Sequence, residues 1–354
     1  MEQNKTCALL IQHCQRYPEA EIRDIFKFLH QSSFGCEHNV SSLEKAIDFI
    51  KKEFEAVDSA DDICTQALDG NYSRVHLSYL NKGLSAETLG KLFFLSARKE
   101  SDGLTALNEK LKTFEQLILQ GELPFSVEDF SSELAEWKKN EFSALHHSEA
   151  FRKAYQPAYR VISNDFIPFL PLFAKIDSML KNGSVRLAVE GGSASGKTTL
   201  GKLLSRIYDC TVFHMDDFFL RPEQRTKERF AEIGGNVDRE RFLEEVLIPM
   251  KKGKEVQYRK FDCSSLIILD PIKLSPKKLT VVEGAYSMHP ELAEYYNLSV
   301  FLDISPKLQR ERISKRNTPE FAERFFNEWI PLENRYFEAT SIKERCKLSV
   351  SIYR

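Results

Sequence analysis

The sequence predicts an α/β fold for the C-terminal half, a parallel five-stranded sheet with helices on both faces, preceded by a mainly α-helical N-terminal domain. Three observations predict it. From residue 183 onward, apolar runs at 185–190, 211–214, 279–283, 298–303 and 347–352 alternate with helical patterns. Strands covered on both faces read as such continuous runs. Between the first run and a helical pattern lies Gly191-Gly192-Ser193-Ala194-Ser195-Gly196-Lys197-Thr198-Thr199, which fits G-x-x-x-x-G-K-[ST]. Residues 1 to about 160 instead repeat apolar positions with a helical period.

The bulk numbers fit two domains. At 354 residues the chain exceeds one ordinary core. Its 42% hydrophobic and 29% charged content describes a globular chain, and a net charge of −2 gives no reason to expect nucleic acid as partner. No apolar run reaches bilayer length, so no membrane partner is expected, and the first residues lack the apolar stretch of a secretion signal. Seven cysteines, at 7, 14, 36, 64, 210, 263 and 346, are scattered without a C-x-x-C pair. That scatter fits reduced thiols and a cytoplasmic location.

In chain order, helices are expected over 7–17, stopped by Pro18, over 19–30, after the capping-box outline Ser41-Ser42-Leu43-Glu44, from 85, and at 102–120 and 126–140. Residues 74–80 alternate and read as a short strand or an extended loop. Two stretches are richer than a helical bundle requires: Phe34-Gly35-Cys36-Glu37-His38, and His146 to Arg160. His30, His38, His146 and His147 with Cys36, Glu37 and Glu149 suit a metal. With Arg152 and Arg160 they suit an anion. As helix caps and buried polar groups they need neither. Residues 161–182 read as a connecting helix with Pro168 and Pro171 near its start and Gly183 at its end, which places the domains at 1–160 and 161–354.

The glycine-rich loop is a P-loop. Its glycines let successive amides face phosphate oxygens, Lys197 reaches the β- and γ-phosphates, and Thr198 takes a place on Mg²⁺. The fold class is therefore of the P-loop NTPase type, with ATP and Mg²⁺ as cofactors. The apolar run 211–214 leads into Asp216 and Asp217, placed to accept a hydroxyl proton or hold Mg²⁺. The run 279–282 ends in Glu283, a second Mg²⁺ contact. Residues 308–337 are basic, with Arg310, Arg312, Lys315, Arg316, Arg324 and Arg335 available to a transferring phosphoryl group.

Over roughly 183–354 the chain resembles the uridine kinase family, within the wider group of phosphoribulokinase and pantothenate kinase. The residues that carry the resemblance are Gly191 to Thr198, Met215-Asp216-Asp217-Phe218-Phe219, Val256-Gln257-Tyr258, Val281-Val282-Glu283-Gly284 and the Arg312/Arg316 helix. It implies Asp216 as the base, Glu283, Thr198 and Asp216 around Mg²⁺, and Arg312 and Arg316 closing over ATP. It also implies an acceptor pocket drawing on Asp217, Phe219, Tyr258, Asp262, Tyr286 and His289. Cys263 stands where the family places a pyrimidine-reading histidine, and Gly234-Gly235-Asn236-Val237-Asp238 departs from the family's wording. Through Phe34-Gly35…His38 and His146-His147-Ser148-Glu149 the N-terminal half is similar to uncharacterised domains attached to such kinases in anaerobic bacteria, a likeness that implies no activity. The expected function is ATP-dependent phosphorylation of a hydroxyl on a nucleoside such as uridine or cytidine, or on another small alcohol. The alternative is a nucleotide-dependent sensor whose N-terminal domain binds the ligand. A homo-oligomer stays open.

Overall fold

The structure is a computed structural model that describes residues 2–36, 42–57, 64–97 and 101–353. The chain divides into two compact units, Met1–Ala174 and Lys175–Arg354. The boundary expected near 160 falls inside a strand, Tyr159–Ser163, whose pairing ties it to the first unit. No helix among the described residues is long and apolar enough to cross a membrane.

The first unit contains α1 (Glu2–Arg16), α2 (Ile22–Phe34), α3 (Leu43–Phe54), α4 (Ala86–Ser96), α5 (Gly103–Leu119), α6 (Val127–Lys139) and α7 (Glu149–Tyr155). Serines start four of them. Ser42, Ser85, Ser126 and Ser148 each accept a backbone N–H three residues on, which satisfies a donor the helix cannot. Ser42 is thus the cap of α3, and Ser41 lies outside the described residues. Phe26 stacks on Trp137 at 4.8 Å and meets Phe114 and Phe130 edge-on, forming the aromatic centre of α2, α5 and α6. A small antiparallel sheet joins β1 (Thr65–Ala67), β2 (Tyr72–His76) and β3 (Tyr159–Ser163) in that order. The alternation from residue 74 is therefore a strand only to His76, then a 3₁₀ turn.

Helix α8 (Leu170–Leu180) leads into the second unit. There β4 (Val185–Gly191) feeds α9 (Lys197–Ile207), followed by β5 (Cys210–His214). Two small antiparallel pairs come next. One joins β6 (Val256–Tyr258) to β9 (Ile272–Leu274), the other β7 (Phe261–Asp262) to β8 (Ile267–Ile268). The main sheet is completed by β10 (Leu279–Glu283), β11 (Leu298–Ile304) and β12 (Leu348–Ile352). Its order is β12-β11-β4-β10-β5, and every pairing is parallel. This is the parallel five-stranded sheet the apolar runs predict. In register, Glu283 lies opposite Val189 on one side and His214 on the other. The carboxyl ends of β4, β10 and β5 therefore meet at one edge, where ligands of such sheets bind. A core of Phe213, Met215, Phe218, Phe242, Val246, Tyr258, Val282 and Tyr336 supports that edge.

Gly284 follows Glu283 with φ +149°, and a Cβ there would meet Met215 Cβ at 2.4 Å. Met215 opens the turn that carries Asp216, so glycine is what lets the β10 exit pass under it. Gly284→Ala should destabilise the second unit by about 3 kcal/mol, from the positive φ and overpacking together, as read by denaturant unfolding.

Candidate active site

The loop from Gly191 to Gly196 leaves β4 and enters α9. Its bends need special backbone. Gly191 has φ +147° and sits so close to β11 that a Cβ would lie 2.6 Å from the Leu302 carbonyl. Gly196 and Ala194 also have positive φ, at +100° and +61°. Lys197 Nζ donates to the Gly191 and Gly192 carbonyls at 2.8 and 2.9 Å, so the ammonium lies folded over its own loop. The Ser195 hydroxyl is buried without a partner among the described residues.

Beside the loop, Glu283 Oε1 accepts from the Thr198 hydroxyl at 3.0 Å and from His214 Nδ1–H at 2.6 Å. That bond to Glu283 raises the His214 pKa, with burial acting against it. Asp216 follows in the turn Met215–Phe218. It remains open to solvent, yet the protein around it disfavours its charge and raises its pKa, while Lys197 pulls the other way. Thr198, Glu283 and Asp216 offer a hydroxyl and two carboxylates, the oxygen donors a hard cation such as Mg²⁺ takes alongside phosphate. The residues present thus fit both the nucleotide and the ion.

Two helices grip the outside of the loop. From Pro306–Arg316, Gln309 Nε2 donates to the Ser193 carbonyl at 2.9 Å and Arg312 Nη1 to the Ala194 carbonyl at 2.9 Å. From Ile330–Thr340, Glu333 accepts the Ser193 N–H at 2.8 Å and the Ser193 O–H at 2.6 Å. Burial raises the Glu333 pKa and Lys197 opposes it. Arg316 is not part of this grip. It is exposed and lies over the Phe325 ring, 5.2 Å from its centre.

The expected acceptor residues scatter. Asp217 pairs with Lys260 at 3.0 Å, and the buried Tyr258 has its pKa pushed up to about 12 by burial and by Asp217. Phe219 bridges to Val237. Asp262 spends both oxygens on the amides and hydroxyls of Ser264 and Ser265, which holds its pKa down at about 2, so it caps its own turn. His289 donates Nε2–H to the Ile233 carbonyl at 3.2 Å and accepts the Glu291 N–H at Nδ1, so neither nitrogen is offered to an acceptor. Tyr286 packs its ring 4.8 Å from Tyr336 and donates its N–H to Glu190. A pocket of about 510 Å³ lies alongside. Arg221, Arg229, Arg241 and Arg259 line it, together with Asp238, Glu240, Glu244 and Glu245. Arg241 joins it to the site by donating to the Asp217 and Arg259 carbonyls.

Four residues here carry no sequence signal: Glu190, Gln309, Glu333 and His214. Glu190 is fully buried. It accepts the N–H groups of Gly191, Tyr286 and Met288 at 2.9, 3.1 and 3.0 Å, and the Tyr336 hydroxyl at 3.2 Å. It therefore ties the start of the loop to the segment after Glu283. The first unit's histidines form no such centre. His147 bonds Asp24, Arg160 pairs with Glu53, and among the described residues no three His, Cys, Asp or Glu side chains are placed to hold a metal. Glu37 and His38 lie outside the described residues.

Burial raises the Glu190 pKa to about 7 from 4.5. The native state then binds the extra proton between those values, so this group's contribution to stability falls as pH rises through that window. The stability gap between wild type and Glu190→Gln should shrink from pH 5 to pH 8, by at most about 3 kcal/mol, in denaturant unfolding at the two pH values.

Residues 187–320 match the model of the phosphoribulokinase / uridine kinase family. Among solved structures the chain is similar to a possible uridine kinase from Bacillus stearothermophilus, at 22% identity over 51% of this chain and 98% of that one, with a TM-score of 0.39. Shikimate kinase from Bacteroides thetaiotaomicron is 15% identical over 47% of this chain and 85% of its own, with a TM-score of 0.26. Shikimate kinase from Aquifex aeolicus is 20% identical over the same 47% and 85%, with a TM-score of 0.25. No curated protein matches. The second unit carries a glycine-rich phosphate-loop sequence at the end of the central strand of a parallel five-stranded sheet, and its residues 187–320 match the phosphoribulokinase / uridine kinase family model.

Proposed function

We propose that the second unit moves the γ-phosphoryl group of ATP to a hydroxyl of a small metabolite, a nucleoside such as uridine or cytidine or another small alcohol. The observation that carries the proposal is the meeting of Lys197, Thr198, Glu283 and Asp216 at the carboxyl edge of the sheet. Asp216 takes the proton of the acceptor hydroxyl. The freed oxygen attacks the γ-phosphorus, the bond to the β–γ bridging oxygen breaks, and ADP leaves with that oxygen. Lys197 exchanges the carbonyls of Gly191 and Gly192 for phosphate oxygens, and the loop amides hold the rest of the polyphosphate. Thr198, Glu283 and Asp216 would hold Mg²⁺, which when bound neutralises charge on the β- and γ-phosphates. His214 keeps the Glu283 carboxylate aimed by donating to it. Arg312, already on the loop, is the arginine placed to meet developing charge; Arg316 would need to leave Phe325 first.

The pocket beside Asp217 favours a polar acceptor. Its arginines are tied to acids, as in Arg229 with Glu240, Arg241 with Asp238 and Arg259 with Glu245. A wall of paired charges offers both donors and acceptors, with the Ile268 side chain beside them.

An ADP-release assay with ATP and Mg²⁺ over nucleosides, sugars, pantothenate-like alcohols and hydroxy-amino acids tests this. One acceptor class should stimulate ADP formation. Asp216→Asn should then lower kcat about 10²- to 10⁴-fold with the fold intact by circular dichroism, and Lys197→Ala should abolish transfer. Turnover by Asp216→Asn within twofold of wild type would remove the assigned base. ATP binding with no stimulation by any acceptor would favour the sensor alternative.

A further inference from the structure

A buried polar network runs through the first unit, and its hydrogen bonds can be followed atom by atom. Asp24 is fully buried and accepts four donors. They are His147 Nδ1–H at 2.7 Å, the Ser148 hydroxyl at 2.7 Å, and the N–H groups of Ser148 and Glu21 at 3.1 Å each. Because Nδ1 donates, His147 Nε2 accepts, and the Tyr159 hydroxyl supplies that proton at 2.7 Å. Arg74, central on β2, donates Nε–H to the Gln31 side-chain carbonyl at 2.9 Å. Its Nη1–H goes to the carbonyl of Gln66, the residue opposite it on β1, at 3.2 Å. With its carbonyl thus engaged, Gln66 turns its NH₂ toward His13, whose Nδ1 accepts at 3.0 Å. Burial keeps His13 neutral, so its one proton sits on Nε2.

What remains unmet is one-sided. Arg74 Nη2 and His13 Nε2 are both buried without a partner among the described residues, and both are donors. Their side chains belong to residues only 3% and 1% exposed. Both border the Phe28 ring, His13 at 4.6 Å and the guanidinium at 5.4 Å, and the Tyr159 ring covers the guanidinium at 4.5 Å. Charge is unbalanced in the same direction. Among the described residues Arg74 makes no ion pair and Lys27 nearby donates to the Leu145 carbonyl, while Asp24, the acid acting on both Lys27 and His13, is already engaged by four donors. A buried cation lacking a partner is expensive, and unmet donors call for an acceptor that carries negative charge. A guanidinium held between two rings and two amides is a fixed fork for a carboxylate or phosphate.

We propose that Arg74 and His13 form the donor end of a binding site for a small anion, a carboxylate or phosphate group, whose oxygens accept from Arg74 Nη2 and His13 Nε2. The site belongs to the first unit alone and stands or falls independently of phosphoryl transfer. Isothermal titration calorimetry of the full chain with inorganic phosphate, acetate and malonate, at ionic strength fixed with sodium chloride, tests it. The Lys197→Ala chain is titrated in parallel, because phosphate held by the loop is lost in that variant and phosphate held at Arg74 is not. The expected result is saturable binding of phosphate or of a carboxylate that survives Lys197→Ala. Its Kd should weaken at least tenfold in Arg74→Gln and in His13→Phe, the second of which keeps an aromatic ring while removing the Nε2 donor together with the Nδ1 acceptor of Gln66. Carboxylate binding without phosphate binding, or the reverse, identifies the ligand's charged group. Two results would overturn the site: no anion binding beyond sodium chloride in the Lys197→Ala chain, which leaves buried water as the partner, or binding that both folded variants retain unchanged.

Discussion

β10 pairs in parallel with β4 on one side and β5 on the other, and this double register decides where each charged group of the site stands. β4 ends in the phosphate loop, β10 ends in Glu283, and β5 ends in His214 with Asp216 two residues on. Parallel strands aligned at their carboxyl ends bring all three ends together, although 69 residues separate His214 from Glu283 and 85 separate Thr198 from Glu283. A slip of one residue in β10 would turn Glu283 to the opposite face of the sheet and break both bonds. The continuous apolar character of Leu279 to Val282, buried on both faces, makes the strand's place in the sheet firm.

Glu190 converts that alignment into rigidity. Its two oxygens collect three backbone N–H groups and a phenol, linking the strand that starts the loop to the segment that leaves β10 and to the helix Ile330–Thr340. A buried carboxylate with four donors is costly to disturb in either direction. Removing it strands three amides, and moving any one partner leaves the acid under-solvated. The segment after β10 adopts a positive φ at both Gly284 and Tyr286, and the Glu190 bonds to the Tyr286 and Met288 amides hold that shape.

The fold was legible where a residue's neighbours in sequence are also its neighbours in space. Apolar runs gave all five strands of the main sheet, and the loop was readable because its nine residues form one local object. The first six helices of the first unit followed from apolar period and capping residues, while α7 (Glu149–Tyr155), whose seven residues carry no apolar period, did not. The strands β1 and β3 escaped, because three- and five-residue segments that pair only with β2 carry no pattern of their own. Glu190, Gln309 and Glu333 escaped for a related reason: each acts across long gaps in sequence, Glu333 on a residue 140 positions away. Conversely, Asp262 and His289 had the right residue type near the right strands, and the structure engages them with their own backbone surroundings. Residue type near a motif locates a neighbourhood; which way the side chain is spent depends on what the fold brings beside it, a local turn for Asp262 and the distant Ile233 carbonyl for His289.

The charge around the loop bears on how an anion could enter it. Lys197 is felt by the buried acids Glu190 and Glu333 and by the solvent-open Asp216, and in each it opposes a raised pKa. Glu283 adds a fourth carboxylate within reach of Thr198. One ammonium, one loop-bound arginine and the His214 ring bonded to Glu283 face this group. Where one of these carboxylates is charged, a phosphate beside it meets like charge, on the order of 4 kcal/mol for unit charges 4 Å apart at the effective dielectric of a partly buried site. In the proposed reaction a divalent cation would offset such like charge on nucleotide binding as well as in the transfer step. It also explains why Glu333 is bonded to the Ser193 amide and hydroxyl. Anchored there, its charge is spent on the loop's own donors and is not turned toward the phosphates.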